Sequence, residues 1–198
     1  MKSRSLMVLL GLSLAAMPAV AADLYTVDKA HSQAAFQVKH FLSKTGGRFN
    51  QFEGKIQLDD KHLENSTVEF KIDAASVDTD NEKRDAHLRT ADFFDVEHHP
   101  AITFKSEKIR QVAKGKYEVT GTFSMRGVEK KLVVPVTYLG LVKDPWGGQR
   151  AGFSTQLTLN RKDFGMLWNK ALDSGGYVLG DEVWVTVELE AVKQVSSS

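Results

Sequence analysis

Most of the chain alternates with period two. Val68, Phe70, Ile72 and Ala74 fall on one parity, and Thr67, Glu69, Lys71 and Asp73 fall on the other. Successive side chains of a strand point to opposite faces, so the alternation predicts a strand with one buried and one solvated face. Ala34, Phe36, Val38 and His40 repeat it against Gln33, Gln37 and Lys39. Tyr117, Val119, Gly121, Phe123 and Met125 do so against Glu118, Thr120, Thr122 and Ser124, as do Phe153, Leu157 and Leu159 against Ser154, Gln156 and Thr158. Val183, Val185, Val187 and Leu189 close the series. Counting also Phe49–Leu58, Ala101–Ile109 and the more continuously apolar Leu132–Tyr138, the pattern predicts about eight long strands, with a short one at Leu24–Asp28.

Turn signals separate these runs: Thr45-Gly46-Gly47, Asp59-Asp60-Lys61, Lys114-Gly115-Lys116, Arg126-Gly127 and the longer stretch from Lys143 to Gly148. Lys114-Gly115 and Arg126-Gly127 predict tight hairpins. One segment departs from the alternation. Asn81 to Thr90 is polar and helix-compatible, which predicts a short surface helix with Asp80 as its N-cap. Pro100 then disfavours helix at His99 and returns the chain to extended backbone.

One-sided strands with almost no helix to cover them must fold on themselves as a sandwich or a barrel, and the barrel is the preferred reading. The fold class expected is all-β: an eight-stranded antiparallel barrel with one short surface helix. At that strand number the interior is either just filled or holds one ligand. Small residues at inward positions (Ala34, Gly54, Gly121, Thr155, Ala191) lie beside Phe36, Phe52, Phe70, Phe104 and Phe123. That mixture suits a cavity, and it equally suits the interdigitated layers of a solid core.

The N-terminus stands apart. Lys2 and Arg4 precede an apolar run from Leu6 to Ala16, and small residues follow Pro18. This is the pattern of a secretory signal, cleaved near Ala22, so residues 1–22 are set aside and 23–198 are taken as the barrel domain. The apolar run is shorter than the roughly 20 residues needed to span a bilayer. An exported chain, periplasmic in location, is therefore expected. Lys plus Arg number 26 against 25 Asp plus Glu, so overall charge gives no reason to expect nucleic acid or an anionic membrane as partner. The chain has no cysteine, which removes disulfides, thiol catalysis and cysteine-ligated metals.

Candidate chemistry is sparse. Asp92, Asp95, Glu97, His98 and His99 crowd together, but in an extended segment neighbouring histidines point to opposite faces, and no His-Glu-x-x-His places two imidazoles on one helical face. No metal site is assigned. No Gly-x-Ser-x-Gly elbow is present, and no catalytic residue is assigned. His40 shares the parity of Phe36 and Val38, which puts it at the end of an apolar face. The run Lys83, Arg84, Asp85, His87 and Arg89 reads as a salt-bridged helix face or as a cationic rim for a polar head group. Phe93, Phe94, Trp146, Phe164, Trp168 and Trp184 are expected to plug the barrel ends. Trp168 lies in a stretch, Phe164 to Tyr177, whose three glycines suit a lid or mouth loop.

Several ordered blocks resemble a known family. They are Gly47-Arg48-Phe49-Asn50-Gln51-Phe52-Glu53-Gly54, Ser76-Val77-Asp78-Thr79, Arg84 to Phe94, Pro100 to Phe104, Gly121 to Val128, Asp144 to Phe153, and Asp163-Phe164-Gly165. From about Tyr25 to Val192 the chain resembles the YceI-like periplasmic proteins, lipocalin-like barrels associated with polyisoprenoid binding. It departs from the family's Leu-Gly after His40, having Phe41-Leu42-Ser43-Lys44.

The resemblance implies a tunnel for the prenyl chain of an isoprenoid quinone or prenyl phosphate, with binding rather than turnover and no cofactor beyond that lipid. The residues expected to line it are Phe36, Val38, His40, Phe49, Phe52, Phe70, Ile72, Phe94, Ile102, Phe104, Phe123, Met125 and Trp168. Arg84, His87 and Arg150 are expected at a head-group rim. A transient membrane-protein donor or acceptor is the expected partner. Two other readings stand beside this one: an enzyme using His40 or the Arg84-Asp85-His87 group as acid and base, and a filled barrel acting through its surface, as partner of a membrane redox protein or in stress response.

Overall fold

The computed structural model describes residues 22–173 and 175–195, so residues 1–21 of the segment read as an export signal lie outside it. The strands are β1 (Asp23–Val27), β2 (Gln33–His40), β3 (Ser43–Phe49), β4 (Phe52–Leu58), β5 (Thr67–Asp73), β6 (Val77–Asp78), β7 (Ala101–Ala113), β8 (Lys116–Met125), β9 (Val128–Lys143), β10 (Gln149–Asn160) and β11 (Leu179–Lys193), with one helix, α1 (Glu82–Leu88). Antiparallel pairing runs β1-β4-β5-β7-β8-β9-β10-β11, and β1 pairs back onto β11 to close an eight-stranded barrel. The expected architecture is the observed one.

The eight staves are not all continuous. β2 pairs with β11 beyond the stretch that β1 occupies, β3 pairs with β2, and β6 pairs with β3. β1/β2, β3/β4 and β5/β6 are therefore single staves, each broken once. Polar side chains hold two of the breaks: Asp28 accepts from the Ala30 amide at 3.1 Å, and Asp73 from the Ala75 amide at 2.9 Å. The run Phe49–Leu58, read as one strand, is interrupted at Asn50–Gln51.

Thr45-Gly46-Gly47, read as a turn, lies inside β3 instead. The turn is Phe41–Leu42, closed by the His40–Ser43 pair, with Phe41 at φ +51°. Gly47 serves close approach rather than chain reversal, because a Cβ there would lie 2.5 Å from Phe36 Cζ and 2.7 Å from Thr79 Cγ2. The other two glycine turns are as expected. Gly115 has φ +69°, and Arg126 and Gly127 have φ +53° and +72°, the double positive φ that a two-residue hairpin favours.

The helix is where the sequence placed it, but its cap is one residue later. Asn81 Oδ1 accepts from the Arg84 amide at 3.0 Å, whereas Asp80 has φ +58° and turns its carboxylate to Arg48. The inward parities pack into two clusters. At the α1 end lie Phe49, Ala74, Val77, Ile102, Met125, Phe164 and Met166; at the far end lie Tyr25, Ile56, Leu58, Leu63, Ala151 and Ala191. Tyr25 is buried with its hydroxyl donating to Gln149 Oε1 at 2.8 Å, and burial pushes its phenol up to about 12. Phe93 and Phe164 are buried as end plugs. Trp146 and Trp184 are not. Trp146 is exposed in the turn after β9, and Trp184 alternates outward between Val183 and Val185 with the Lys44 ammonium 3.9 Å over its ring.

Candidate functional site

The barrel interior is not filled. A cavity of about 410 Å³ occupies the α1 end and a second of about 160 Å³ the far end, with Val187 lining both. The larger volume falls within the roughly 300–1,000 Å³ of small-molecule sites. Phe104 and Phe123 face each other across the β7–β8 ladder, one lining each chamber.

Of the residues expected to line a tunnel, Phe36, Val38, His40, Phe49, Ile72, Phe94, Ile102, Phe123, Met125 and Trp168 meet around the larger cavity. Phe70 and Phe104 line the smaller one. Phe52 is among the lining residues of neither, and its ring packs on Phe70 with centroids 5.7 Å apart. Val183, Val185 and Val187 of β11 complete the larger cavity, and their parity already marked them as inward. Arg161 also lines it, and nothing in the local pattern distinguished that residue from its polar neighbours.

One end of the larger cavity is covered by α1, by Phe93 and Phe94, and by Met166, Trp168 and Val178. Side-chain bonds pin the helix there. Asp85, buried, accepts from the Thr79 amide at 2.9 Å, while Arg89 donates to the Ala75 and Val77 carbonyls at 2.7 and 2.8 Å. Arg84 donates through Nε to Thr79 Oγ1 and through a terminal nitrogen to the Thr79 carbonyl, both at 2.7 Å. Among the described residues neither Lys83 nor Arg84 pairs with a carboxylate, and both line the cavity. His87 Nε2 lies 2.8 Å from Asp92, and its ring stands edge-on to Phe93 and Trp168, 5.0 Å from each centroid.

Arg161 holds the loop that follows β10. It is 3% exposed and donates to the carbonyls of Gly180, Met166 and Trp168 at 2.8, 2.6 and 2.8 Å, and to Asp181 at 3.2 Å. Burial pulls its guanidinium pKa down from the ordinary value, and Asp181 opposes that shift. The result is an apolar chamber whose polar edge is mainly cationic.

Arg150, expected at this rim, is elsewhere. It pairs from β10 with Val192 of β11, toward the far end of that strand from the Leu179–His40 pair that lines the larger cavity. Its guanidinium is consumed by Asp28 at 2.8 Å, Asp144 at 3.0 Å and Glu190. Asp28, His31 and Glu190 otherwise have donor atoms close enough to share a cation, but Arg150 already bridges the two carboxylates. The Arg150 and His31 bonds hold Asp28 below the usual carboxylate range. Burial would raise Asp144, but the bonds from Arg150 and from the Gly148 and Trp146 amides outweigh it.

A depressed folded pKa stabilises above the unfolded value of about 3.9 and loses that contribution as pH falls through the folded pKa. Arg150→Ala is therefore expected to lower the urea midpoint most near neutral pH, with the gap from wild type closing below about pH 4. A gap independent of pH would show that the loss comes from packing alone. The His98 and His99 rings are also placed differently from expectation. Their segment is a turn rather than extended, and both lean on Asp95, at 2.9 and 3.8 Å.

The geometry agrees with comparisons to known proteins. Residues 25–191 match the model of the YceI-like domain. A protein of Ectopseudomonas mendocina called "UPF0312 protein" is 40% identical over 158 residues, covering 78% of this chain and 82% of that one. The crystal structure of Burkholderia cenocepacia BcnA superposes with a TM-score of 0.74 at 26% identity, over 83% of this chain and 98% of the other. A domain from Saccharophagus degradans described as polyisoprenoid-binding shares the fold, with a TM-score of 0.67 at 18% identity, over 88% and 99% of the two chains. With the domain model spanning nearly all of the described barrel and a close sequence relative covering most of its length, this chain belongs to the YceI-like family.

Proposed function

We propose that this protein binds a long-chain isoprenoid lipid, the tail in the larger cavity and the head group at the Lys83, Arg84 and His87 edge. The observation that carries this reading is an apolar chamber of about 410 Å³ whose polar edge is mainly cationic. A prenyl tail gains about 0.8 kcal/mol for each methylene taken from water, so its affinity should climb with chain length until the space is full. Ordering of the chain offsets much of that gain. The cationic edge suits an anionic head group such as a prenyl phosphate, and it also suits the oxygen acceptors of an isoprenoid quinone. The Saccharophagus domain's ligand class supports the choice of tail.

Storage or transport, rather than turnover, fits the use made of the polar side chains at the edge. Arg84, His87 and Arg161 are each engaged in bonds that hold the covering elements in place. The export-signal pattern of residues 1–22 supports a periplasmic location. Protein purified without detergent from its own periplasm, then extracted with organic solvent, should release one species of prenyl mass. A clean empty mass across repeated preparations would overturn the proposal and favour a role for the barrel surface.

A further inference from the structure

The turn Phe41–Leu42 is chemically out of place. Two-residue hairpins favour Asn, Asp or Gly, which tolerate positive φ and solvent. Here a phenylalanine takes φ +51° and is 46% exposed, and the leucine beside it is fully exposed. The Phe41 ring stands edge-on to His40 with centroids 4.5 Å apart, and Leu42 is left entirely to solvent. A non-glycine residue held at positive φ is a pointer to function.

The tip has neighbours of the same kind. The Phe41 amide donates to the Val178 carbonyl at 2.9 Å, and the Val178 amide donates to the Lys170 carbonyl at 3.0 Å, so the hairpin and the Gly165–Val178 segment form one continuous edge. Tyr177 and Leu167 stand exposed on that segment. His40, Trp168, Val178 and Leu179, the residues adjoining these exposed ones in sequence, line the larger cavity. The apolar tips therefore border its mouth. Lysines surround them: Lys39 and Lys44 face each other across the hairpin, Lys170 sits on the segment and Lys83 on α1, all exposed. Asp173 is the sole acid between Gly165 and Val178.

We propose that this edge docks the cavity mouth onto an anionic lipid bilayer, with Phe41, Leu42, Leu167 and Tyr177 entering the interface and the lysines meeting phosphate head groups. Apolar and aromatic tips bordered by lysine are the chemistry of an interfacial anchor, and a near-neutral chain carrying a local cationic ring favours an anionic surface. Seated there, a tail could pass between bilayer and chamber without crossing water. This inference rests on the lipid-binding reading for its purpose but not for its test.

The test is sedimentation of the purified protein with vesicles of phosphatidylglycerol and phosphatidylethanolamine that contain no isoprenoid, alongside pure phosphatidylcholine vesicles. The wild type should co-sediment with the anionic vesicles, less so as salt rises. The Leu42→Glu/Leu167→Glu variant should lose binding about tenfold or more, and Lys44→Glu/Lys170→Glu should lose it on anionic vesicles with little change on phosphatidylcholine. All four positions are exposed, and the Lys44 ammonium gives up only its contact with the Trp184 ring, so unfolding midpoints should stay close to the wild type. Absence of wild-type co-sedimentation, undiminished binding by the leucine variant, or a wild-type dimer that this variant abolishes in place of vesicle binding would each overturn the proposal. Retention of a prenyl lipid presented in detergent is measured on the same proteins. Its failure in wild type with vesicle binding intact would reject the cavity ligand and leave the docking edge standing.

Discussion

Val185→Trp is expected to empty the protein of prenyl lipid while leaving the barrel folded. Val185 points inward from β11 opposite Phe36 of β2, and both line the larger cavity. A tryptophan there projects into open space rather than into a packed layer, so the cost of overpacking should stay at or below about 1–3 kcal/mol. Its ring takes the place of several lipid methylenes. Excluding about four of them, at about 0.8 kcal/mol each, weakens binding by about two orders of magnitude. Mass analysis of the extracted variant reads the loss directly, and far-ultraviolet circular dichroism with a urea titration checks the fold. Full lipid occupancy in a folded Val185→Trp protein would place the ligand outside this chamber.

Arg161→Ala is expected to produce the largest loss of stability among single polar substitutions. Arg161 is almost fully buried and satisfies three backbone carbonyls as well as Asp181. Alanine leaves the three carbonyls without this donor, while Asp181 keeps the Lys162 ammonium at 2.8 Å, and each carbonyl that stays dry costs about 1–3 kcal/mol. Relaxation of the loop lets some of them reach solvent, so a net loss of about 2–4 kcal/mol is expected. The same relaxation frees the Met166–Trp168 backbone from the mouth. Trypsin should then cut after Lys170 faster than in wild type, at urea concentrations where the barrel is still folded. Arg161→Lys, with one ammonium in place of the planar fork, should recover only part of both effects. Equal cleavage rates in wild type and Arg161→Ala would show that the loop is held by other contacts.

The alternation of apolar and polar residues determined the class of this protein, the number of its staves and, residue by residue, which side chains face inward. Parity is local, and a strand buried on one face cannot change it without exposing its whole apolar set. That is why Phe36, Val38, Ile102, Phe123 and Met125 were legible as lining, and why Arg126-Gly127 was legible as a hairpin. The chemistry of the turns was less transparent. Gly46-Gly47 marked a turn by composition, yet Gly47 exists for the Phe36 ring and Thr79 that press on it from elsewhere in the chain. Arg150 and Arg84 were both expected at the head-group rim. The fold sent one to three carboxylates on the outer wall and the other to a cavity edge where it bonds Thr79 in place of a carboxylate.

What only the tertiary structure decided is the space inside. Whether small and large inward residues interlock or leave a void depends on how opposite walls meet, and residues that line one chamber, such as Val185 of β11 and Ile102 of β7, are remote in sequence. The division into two chambers, the closure of one end by α1 with Met166, Trp168 and Val178, and the burial of Arg161 among carbonyls arise in the same way. They are set by packing between staves, an interaction that local periodicity does not encode.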